Sequence, residues 1–194
     1  MSAPALYLAS TSPYRRQLLG KLQLAFETAA PECDETPRPG ESAGALVERL
    51  ARTKAGSIAA RLDTGLVVGS DQVADLDGRI LEKPGAHERA REQLRACSGR
   101  TVVFRTGLAL VDAASGSVHV EHVDYAVVFR PLADEEIERY LAIEAPYDCA
   151  GSIRSEGYAV CLFERMVGDD PNALIGLPLI RLAALLREHG VPLP

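Results

Sequence analysis

A carboxylate at the end of an apolar segment is the first candidate for chemistry. Asp71 follows the apolar run 66–68 and a Gly-Ser pair, so we expect it where a buried strand reaches solvent. Carboxylates beside such loops hold metal ions or accept a proton from water. Lys83 follows the next turn and precedes Pro84. It is either a turn lysine or a side chain that folds back toward Asp71.

Hydroxyl and guanidinium groups surround a predicted helix start near the beginning of the chain. Ser10 and Ser12 lie just before Pro13, and Arg15 falls in the first turn after it. Free backbone N–H groups and the helix dipole make such a terminus attractive to anions, and arginine forms charge-assisted hydrogen bonds to phosphate oxygens. The spacing predicts a phosphate site, with a capped helix and solvated arginines as the alternative.

Two more charged candidates lie on neighbouring segments. Glu35 belongs to the proline-rich acidic loop 31–41, and Lys54 lies on the helix that Ser42 is expected to cap. Taken alone, a solvated loop acid and a surface lysine explain both. They gain meaning only if the fold brings them to Asp71, which hydrophobic periodicity does not decide.

The elements that must position these side chains alternate between strands and helices. Asp77-Gly78 between two short apolar segments is a strong hairpin signal, and the long β-type segments around 113–116 predict an antiparallel pair. The fold class is therefore α/β with a mixed sheet. We predict strands at 6–9, 26–30, 66–68, 73–76, 80–81, 101–112, 117–130 and 157–163, and helices that begin after Pro13, after Ser42 and at 87, 134 and 178.

The composition is that of a globular protein. The 194 residues include 21 Lys and Arg against 27 Asp and Glu, a net charge of −6, and 47% are hydrophobic, which excludes collagen-like, disordered and disulfide-scaffold chains. An acidic chain is not expected to bind nucleic acid, and no apolar run approaches the ~18–20 residues that span a bilayer. The four cysteines lack a C-x-x-C spacing and fit a reducing compartment. We expect one domain over 1–194 and a cytoplasmic location.

Several separated motifs, taken together and in order, resemble the Maf family of nucleotide pyrophosphatases. The opening run Leu8-Ala9-Ser10-Thr11-Ser12-Pro13 is similar to the family's first signature, and Gly69-Ser70-Asp71-Gln72-Val73 is similar to its central aspartate motif. The resemblance covers nearly the whole chain. Its other members are Asp34-Glu35-Thr36, Leu50-Ala51-Arg52-Thr53-Lys54-Ala55, Glu82-Lys83-Pro84, Cys149-Ala150-Gly151, Ser155-Glu156-Gly157 and Gly176-Leu177-Pro178.

The resemblance implies a Maf-like, ITPase-like fold, in which a curved mixed sheet flanked by helices forms two lobes around a central cleft. It also implies hydrolysis of a nucleoside triphosphate to the monophosphate and pyrophosphate with Mg²⁺ or Mn²⁺. Asp71 matches the family's proton acceptor, and Glu35 and Asp71 are the expected metal ligands, although which of the two is base and which is ligand stays open. The remaining polar shell is matched by Ser10, Ser12, Arg15, Lys54 and Lys83.

At three positions the chain resembles the subfamily that hydrolyses 7-methyl-GTP rather than the subfamily that acts on dTTP and UTP. Tyr14 follows Pro13 where many members have arginine, and Gln72 and Glu156 depart from the pyrimidine pattern. An aromatic face attracts a cationic methylated guanine, and a carboxylate accepts two hydrogen bonds from the guanine N1–H and N2–H edge. A packing aromatic and a solvated acid are the alternative interpretations of Tyr14 and Glu156, and Gln72 is expected to contact the base or the ribose.

Other function classes stay open at this level. A non-catalytic nucleotide-binding regulator of cell division would use the same cleft without needing Asp71. A metal-dependent phosphatase or nuclease would use the same acids but release other products. The expected partner is a small-molecule nucleotide, and a homodimer is compatible with the sequence.

Overall fold

The structure is a computed structural model that describes residues 4–194, and the start of the predicted domain at 1–3 lies outside the described residues. The α-helices are α1 Pro13–Gly20, α2 Ala43–Ala59, α3 His87–Cys97, α4 Asp134–Glu144, α5 Pro171–Ile175 and α6 Leu179–Glu188. The strands are β1 Leu6–Ala9, β2 Glu27–Ala29, β3 Leu66–Leu76, β4 Arg79–Leu81, β5 Thr101–Asp112, β6 Val118–Phe129 and β7 Phe163–Val167. None of the helices among these residues is long and apolar enough to cross a membrane.

One mixed sheet of seven strands organises the chain. Its order is β2-β1-β3-β5-β6-β7, with β4 beside β3. β1 runs parallel to β2 and β3, whereas β3, β5, β6 and β7 pair antiparallel. The predicted α/β class with a mixed sheet is confirmed, as is the antiparallel pair of long strands.

Strand β3 has an open edge at its centre. β5 pairs with β3 along Leu66–Asp75, which places β1 and β4 together on the opposite edge. There β1 reaches only to Val68, and β4 begins only at Ala74. Among the described strands, none covers the stretch 69–73 on this edge. The gap leaves the backbone edge of the segment that carries Asp71 without a neighbouring strand from residues 4–194 on this side.

Helix α2 lies unusually close to one face of the sheet. Ser42 caps its N-terminus, where Ser42 Oγ accepts from Ala45 N–H. A Cβ at Gly69 of β3 would lie 2.2 Å from the Ala51 carbonyl oxygen, so only glycine permits this approach. Lys54 lies one turn further along the helix and is buried over the gap in the sheet.

Two apolar clusters share the other face. Side chains alternate between the faces of a strand, and even-numbered residues of β3 contribute to both clusters. One cluster joins Leu66 and Val68 to α1 and α6, and the other joins Ala74 and Leu76 to α3 and α4. The open edge of β3 lies between these two groups of helices.

The predicted strand over 157–163 is wrong. Residues Tyr158–Leu162 form a 3-10 helix, and the strand begins only at Phe163. Ala159 and Leu162 are buried, whereas Val160 is exposed. Burial every third residue is the pattern of a 3-10 turn, which an uninterrupted apolar run hides. Helix α5, which connects β7 to α6, was not anticipated.

Candidate active site

A cleft of about 750 Å³ opens at the uncovered edge of β3. Its lining comes from the loop after β1 and the start of α1, the acidic loop, α2, the middle of β3, the end of the β3–β4 hairpin, the segment that follows α4, and a few positions of β5 and α5. These segments carry the residues singled out from the sequence, which are Ser10, Ser12, Tyr14, Arg15, Glu35, Lys54, Asp71, Gln72, Lys83 and Glu156. Residues far apart in the sequence therefore border one groove.

A shared ammonium group forms the charged end of the cleft. Lys54 Nζ lies 2.6 Å from Asp71 Oδ1 and 2.5 Å from Glu35 Oε1. Lys54 and Asp71 are buried, while Glu35 reaches in from the more exposed acidic loop. The hydrogen bond from Lys54 lowers the pKa of Glu35, with smaller contributions from Lys83 and Arg15. Lys54 thus contacts both carboxylates, and Lys83 and Arg15 add positive charge near Glu35.

A hydrogen bond to a backbone carbonyl oxygen holds the Arg15 side chain in place. Its Nε donates to the Gly176 carbonyl oxygen at 2.9 Å, and Ser70 Oγ donates to the same oxygen at 2.9 Å. Gly176 has φ +127°, a conformation that side chains rarely adopt. Burial lowers the pKa of Arg15, while the negative charges of Asp71 and Glu35 act to raise it. The guanidinium is aimed toward the carboxylates before any substrate binds.

Two serine side chains hold the loop after β1 and the start of α1 in place. Ser12 is the N-cap of α1, and its Oγ accepts from Arg15 N–H at 3.4 Å. Ser10 is buried, and its Oγ accepts from Ser12 N–H at 3.1 Å. The serines therefore shape the loop by hydrogen bonding to its backbone, and the positive end of the helix dipole points at the cleft.

Another part of the cleft lining contains an aromatic ring, carboxylates and a guanidinium group. The Tyr14 hydroxyl donates to Asp148 Oδ2 at 3.4 Å, and Arg154 Nη2 lies 3.8 Å from Asp148 Oδ1. Burial is the largest cause that raises the pKa of Tyr14. Glu156 is exposed at the cleft wall, where Ser155 Oγ donates to it at 3.3 Å. A negative and aromatic environment results.

The side chain of Gln72 lies on the opposite face of β3 from the side chain of Asp71. Consecutive residues of a strand point to opposite sides, so Gln72 turns away from Lys54 and toward α5. Its Nε2 lies within hydrogen-bond distance of the Thr106 hydroxyl at 3.0 Å, the Ala173 carbonyl at 2.8 Å and the Leu174 carbonyl at 3.0 Å. The amide donors are used within the protein, which leaves the amide oxygen for other partners.

The donor set fits a hard divalent cation. Glu35 and Asp71 already share one positive group, and Mg²⁺ in nucleotide sites is commonly held by one or two carboxylates together with substrate phosphates. Within residues 4–194, no group of three or more His, Cys, Asp or Glu side chains could hold a metal by itself. The pair Glu35 and Asp71 would hold the ion jointly with a phosphate ligand.

Several residues of this site have no local sequence signal. Asp148, Arg154 and Thr106 act through side-chain contacts with residues 34 to 140 positions away. Gly176 was visible only as part of a family motif. Its positive φ and its carbonyl hydrogen bonds emerge only in three dimensions.

The fold and the site define a class of α/β protein with a charged cleft at the open edge of a mixed sheet. The structure of the Staphylococcus aureus Ham1 protein matches the fold with a TM-score of 0.57 and 12% sequence identity, covering 95% of this chain and 98% of that one. The family model described as Maf-like protein matches residues 5–189. The chain belongs to the Maf family.

Curated relatives extend over nearly the whole chain. A protein of Nitrosococcus oceani is 53% identical over 97% of this chain and 95% of its own length, and one of Pseudomonas aeruginosa is 53% identical over 98% and 100%. A third, from Pseudomonas syringae pv. tomato, is 52% identical over 98% of this chain and 100% of its own length. Each of the three is named 7-methyl-GTP pyrophosphatase.

Proposed function

We propose that this protein hydrolyses 7-methyl-GTP to 7-methyl-GMP and pyrophosphate. The observation that carries the proposal is that one cleft is lined both by the cations Lys54, Arg15 and Lys83 and by Tyr14 and Glu156. A triphosphate and a cationic purine are the two halves of such a substrate. The names of the relatives at 52–53% identity support the same activity.

Asp71 is the proposed proton acceptor. Its Oδ1 accepts from Lys54, which leaves Oδ2 to accept a proton from water. The water oxygen bonds to the α-phosphorus, the bond from that phosphorus to the bridging oxygen breaks, and pyrophosphate leaves with the bonding electrons. Arg15, Lys54 and Lys83 offset the charge that spreads over the phosphoryl oxygens.

Glu35 and Asp71 would hold Mg²⁺ or Mn²⁺ next to the phosphates. Such an ion, when bound, supplies Lewis-acid polarisation of the phosphoryl oxygens. The side chain of Lys54 keeps the two carboxylates together and offsets part of their charge before substrate arrives. Glu35, on the acidic loop, is the more exposed of the two carboxylates.

The base end selects for a methylated guanine. The ring of Tyr14 offers its face to a cationic base, an interaction worth roughly 0.5–2 kcal/mol. Glu156 can accept from both N–H groups of the guanine edge. A pyrimidine lacks this donor pair, so the exposed Glu156 carboxylate would stay hydrogen-bonded to water and would not favour its binding. We place the reaction in the cytoplasm, where the four free cysteines would remain reduced.

Product analysis tests the reaction class. The purified protein with Mg²⁺ or Mn²⁺ and 7-methyl-GTP should release 7-methyl-GMP and pyrophosphate in equal amounts. Asp71→Asn should lower kcat roughly 10²–10⁴-fold while the melting temperature shows that it remains folded. Orthophosphate as the product would indicate a phosphatase, and nucleotide binding without turnover would indicate a regulatory protein.

A further inference from the structure

Glu144 occupies a position that helix stability does not explain. It is the last residue of α4, where the negative end of the helix dipole disfavours a carboxylate. The side chain is also largely buried, with 13% exposure. Burying a charge at an unfavourable helix end is costly unless it is well partnered. The partners of Glu144 therefore indicate its role.

Both carboxylate oxygens bind the segment that carries Glu156. Glu144 Oε1 accepts from the backbone N–H of Tyr158 at 2.7 Å, and Oε2 accepts from Arg154 Nη1 at 3.2 Å. These two contacts fall two residues after and two residues before Glu156. The Glu144 carboxylate thus holds the backbone on each side of Glu156, the residue proposed to recognise the base.

Close packing adds a third constraint. A Cβ at Gly157 would lie 2.6 Å from Glu144 Oε1, so the backbone next to Glu156 rests directly against the carboxylate. Tyr140, one turn earlier on α4, accepts from Arg154 N–H at 3.1 Å through its hydroxyl oxygen. The C-terminal half of α4 is a platform for residues 154–158.

We propose that Glu144 is a positioning residue for base selection, which acts by holding residues 154–158 so that the Glu156 carboxylate faces the cleft. This inference rests on the proposed function, because it assumes that Glu156 distinguishes the base. Glu144 is not among the described residues that line the cleft, so it acts on substrate only through the segment that it holds. A merely structural Glu144 would affect stability, but not the choice between bases.

The test compares selectivity rather than rate. For wild type and variants, kcat/KM is measured with 7-methyl-GTP and with UTP, which lacks the donor pair of the guanine edge, and kcat and KM are reported separately. Glu144→Ala should lower the 7-methyl-GTP to UTP ratio roughly tenfold to hundredfold, chiefly through a higher KM for 7-methyl-GTP. Glu144→Gln keeps an acceptor for Tyr158 N–H and should restore part of the ratio.

A steric variant tests the same contact from the other side. Gly157→Ala should lower the ratio on its own, because its methyl group displaces the segment from Glu144. Combined with Glu144→Ala, it should add little, since both changes release the same segment. Glu135→Ala, an exposed carboxylate on the same helix, serves as the control and should leave the ratio unchanged.

The outcomes separate this inference from the proposed function. A folded Glu144→Ala with the wild-type ratio overturns the positioning role, as does an equal loss of rate with both nucleotides. If Glu144→Ala does not fold, Glu144→Gln and Gly157→Ala decide by the same ratio. A wild-type protein without preference for 7-methyl-GTP overturns the proposed substrate first, and the positioning role with it.

Discussion

At the scale of single residues, charge placement governs the cleft. Lys54 contacts Glu35 and Asp71 at once, so one buried ammonium offsets part of the charge of two carboxylates. Arg15 is held by the Gly176 carbonyl rather than by an acidic partner. In the proposed reaction its positive charge is available to a phosphate. These charges are in place before the proposed substrate binds, which is the condition under which fixed charges stabilise a transition state most effectively.

The ring of Tyr14 can be tested separately from its hydroxyl. Tyr14→Phe keeps the aromatic face and loses only the hydrogen bond to Asp148, so kcat/KM for 7-methyl-GTP should change little. Tyr14→Leu removes the face and should lower kcat/KM by about 2- to 30-fold, the equivalent of a cation–π contact. Steady-state kinetics of the two variants measure the difference. Equal behaviour of Phe and Leu at this position would show that the ring face does not bind the base.

At the scale of elements, helix α2 delivers Lys54 to the sheet. Gly69 and Gly107 let the helix backbone touch the strands, since a Cβ at Gly107 would lie 2.2 Å from the Val47 carbonyl oxygen. The close approach brings the Lys54 side chain down onto Asp71. The short distance between α2 and the sheet is thus a condition for the charged end of the cleft.

Two glycine substitutions test this packing. Gly107→Ala should destabilise the protein by about 1–3 kcal/mol, because its methyl group overlaps the α2 backbone. Gly56→Ala, within α2 and facing open space, should instead stabilise it by about 0.5–1 kcal/mol through helix propensity. Denaturant unfolding measures both. A neutral Gly107→Ala would contradict the close packing of α2.

The acidic loop that carries Glu35 is tied to α2 by Arg49. The Arg49 guanidinium donates to both Glu41 oxygens, at 2.6 and 2.8 Å, and to the Thr36 carbonyl at 3.1 Å. These hydrogen bonds lower the pKa of Glu41 from its ordinary value of 4.5 to about 2. The loop is therefore anchored one residue beyond Glu35.

The pH dependence of stability follows from this depressed pKa. The folded value lies below the unfolded value, so the Glu41 contribution is complete above pH 4.5 and is lost as the pH falls from 4.5 toward 2. Glu41→Gln should reduce the free energy of unfolding at pH 6, and its difference from wild type should shrink over that window. Urea unfolding at several pH values measures the difference. A constant difference from pH 6 to pH 2 would contradict the assignment.

At the scale of the whole molecule, the sequence predicts the helices and strands better than it predicts the contacts between them. The helix 87–97 and the strand 101–112 were predicted with the bounds that the structure has, because each carries a clear hydrophobic period and a glycine stop. β3 was predicted as two separate pieces, 66–68 and 73–76, yet it runs unbroken through Gly69 and Asp71. Glycine in a strand suggests an interruption until the helix packed against it is known.

The sequence predicted which motifs contribute to the candidate site, but not how their side chains contact one another. Asp71, Lys54 and Glu35 were candidates by residue type and position, and the resemblance gave them roles. The contact of both carboxylates with the Lys54 ammonium depends on the close approach of α2 to the sheet. The Glu144 contacts depend on side-chain geometry, for which the sequence has no signal. We propose that the described chain is one domain with two lobes, because β3 contributes to the apolar clusters on both sides of the cleft.

Competition between nucleotides tests the central claim most directly. The wild-type protein is given equal concentrations of 7-methyl-GTP, GTP, dTTP and UTP with Mg²⁺, and the monophosphates are quantified at early times. We expect 7-methyl-GMP to dominate the products, because only this base pairs a positive charge with the guanine edge. Preferential formation of dTMP or UMP would contradict the assignment of Tyr14 and Glu156 to a cationic purine.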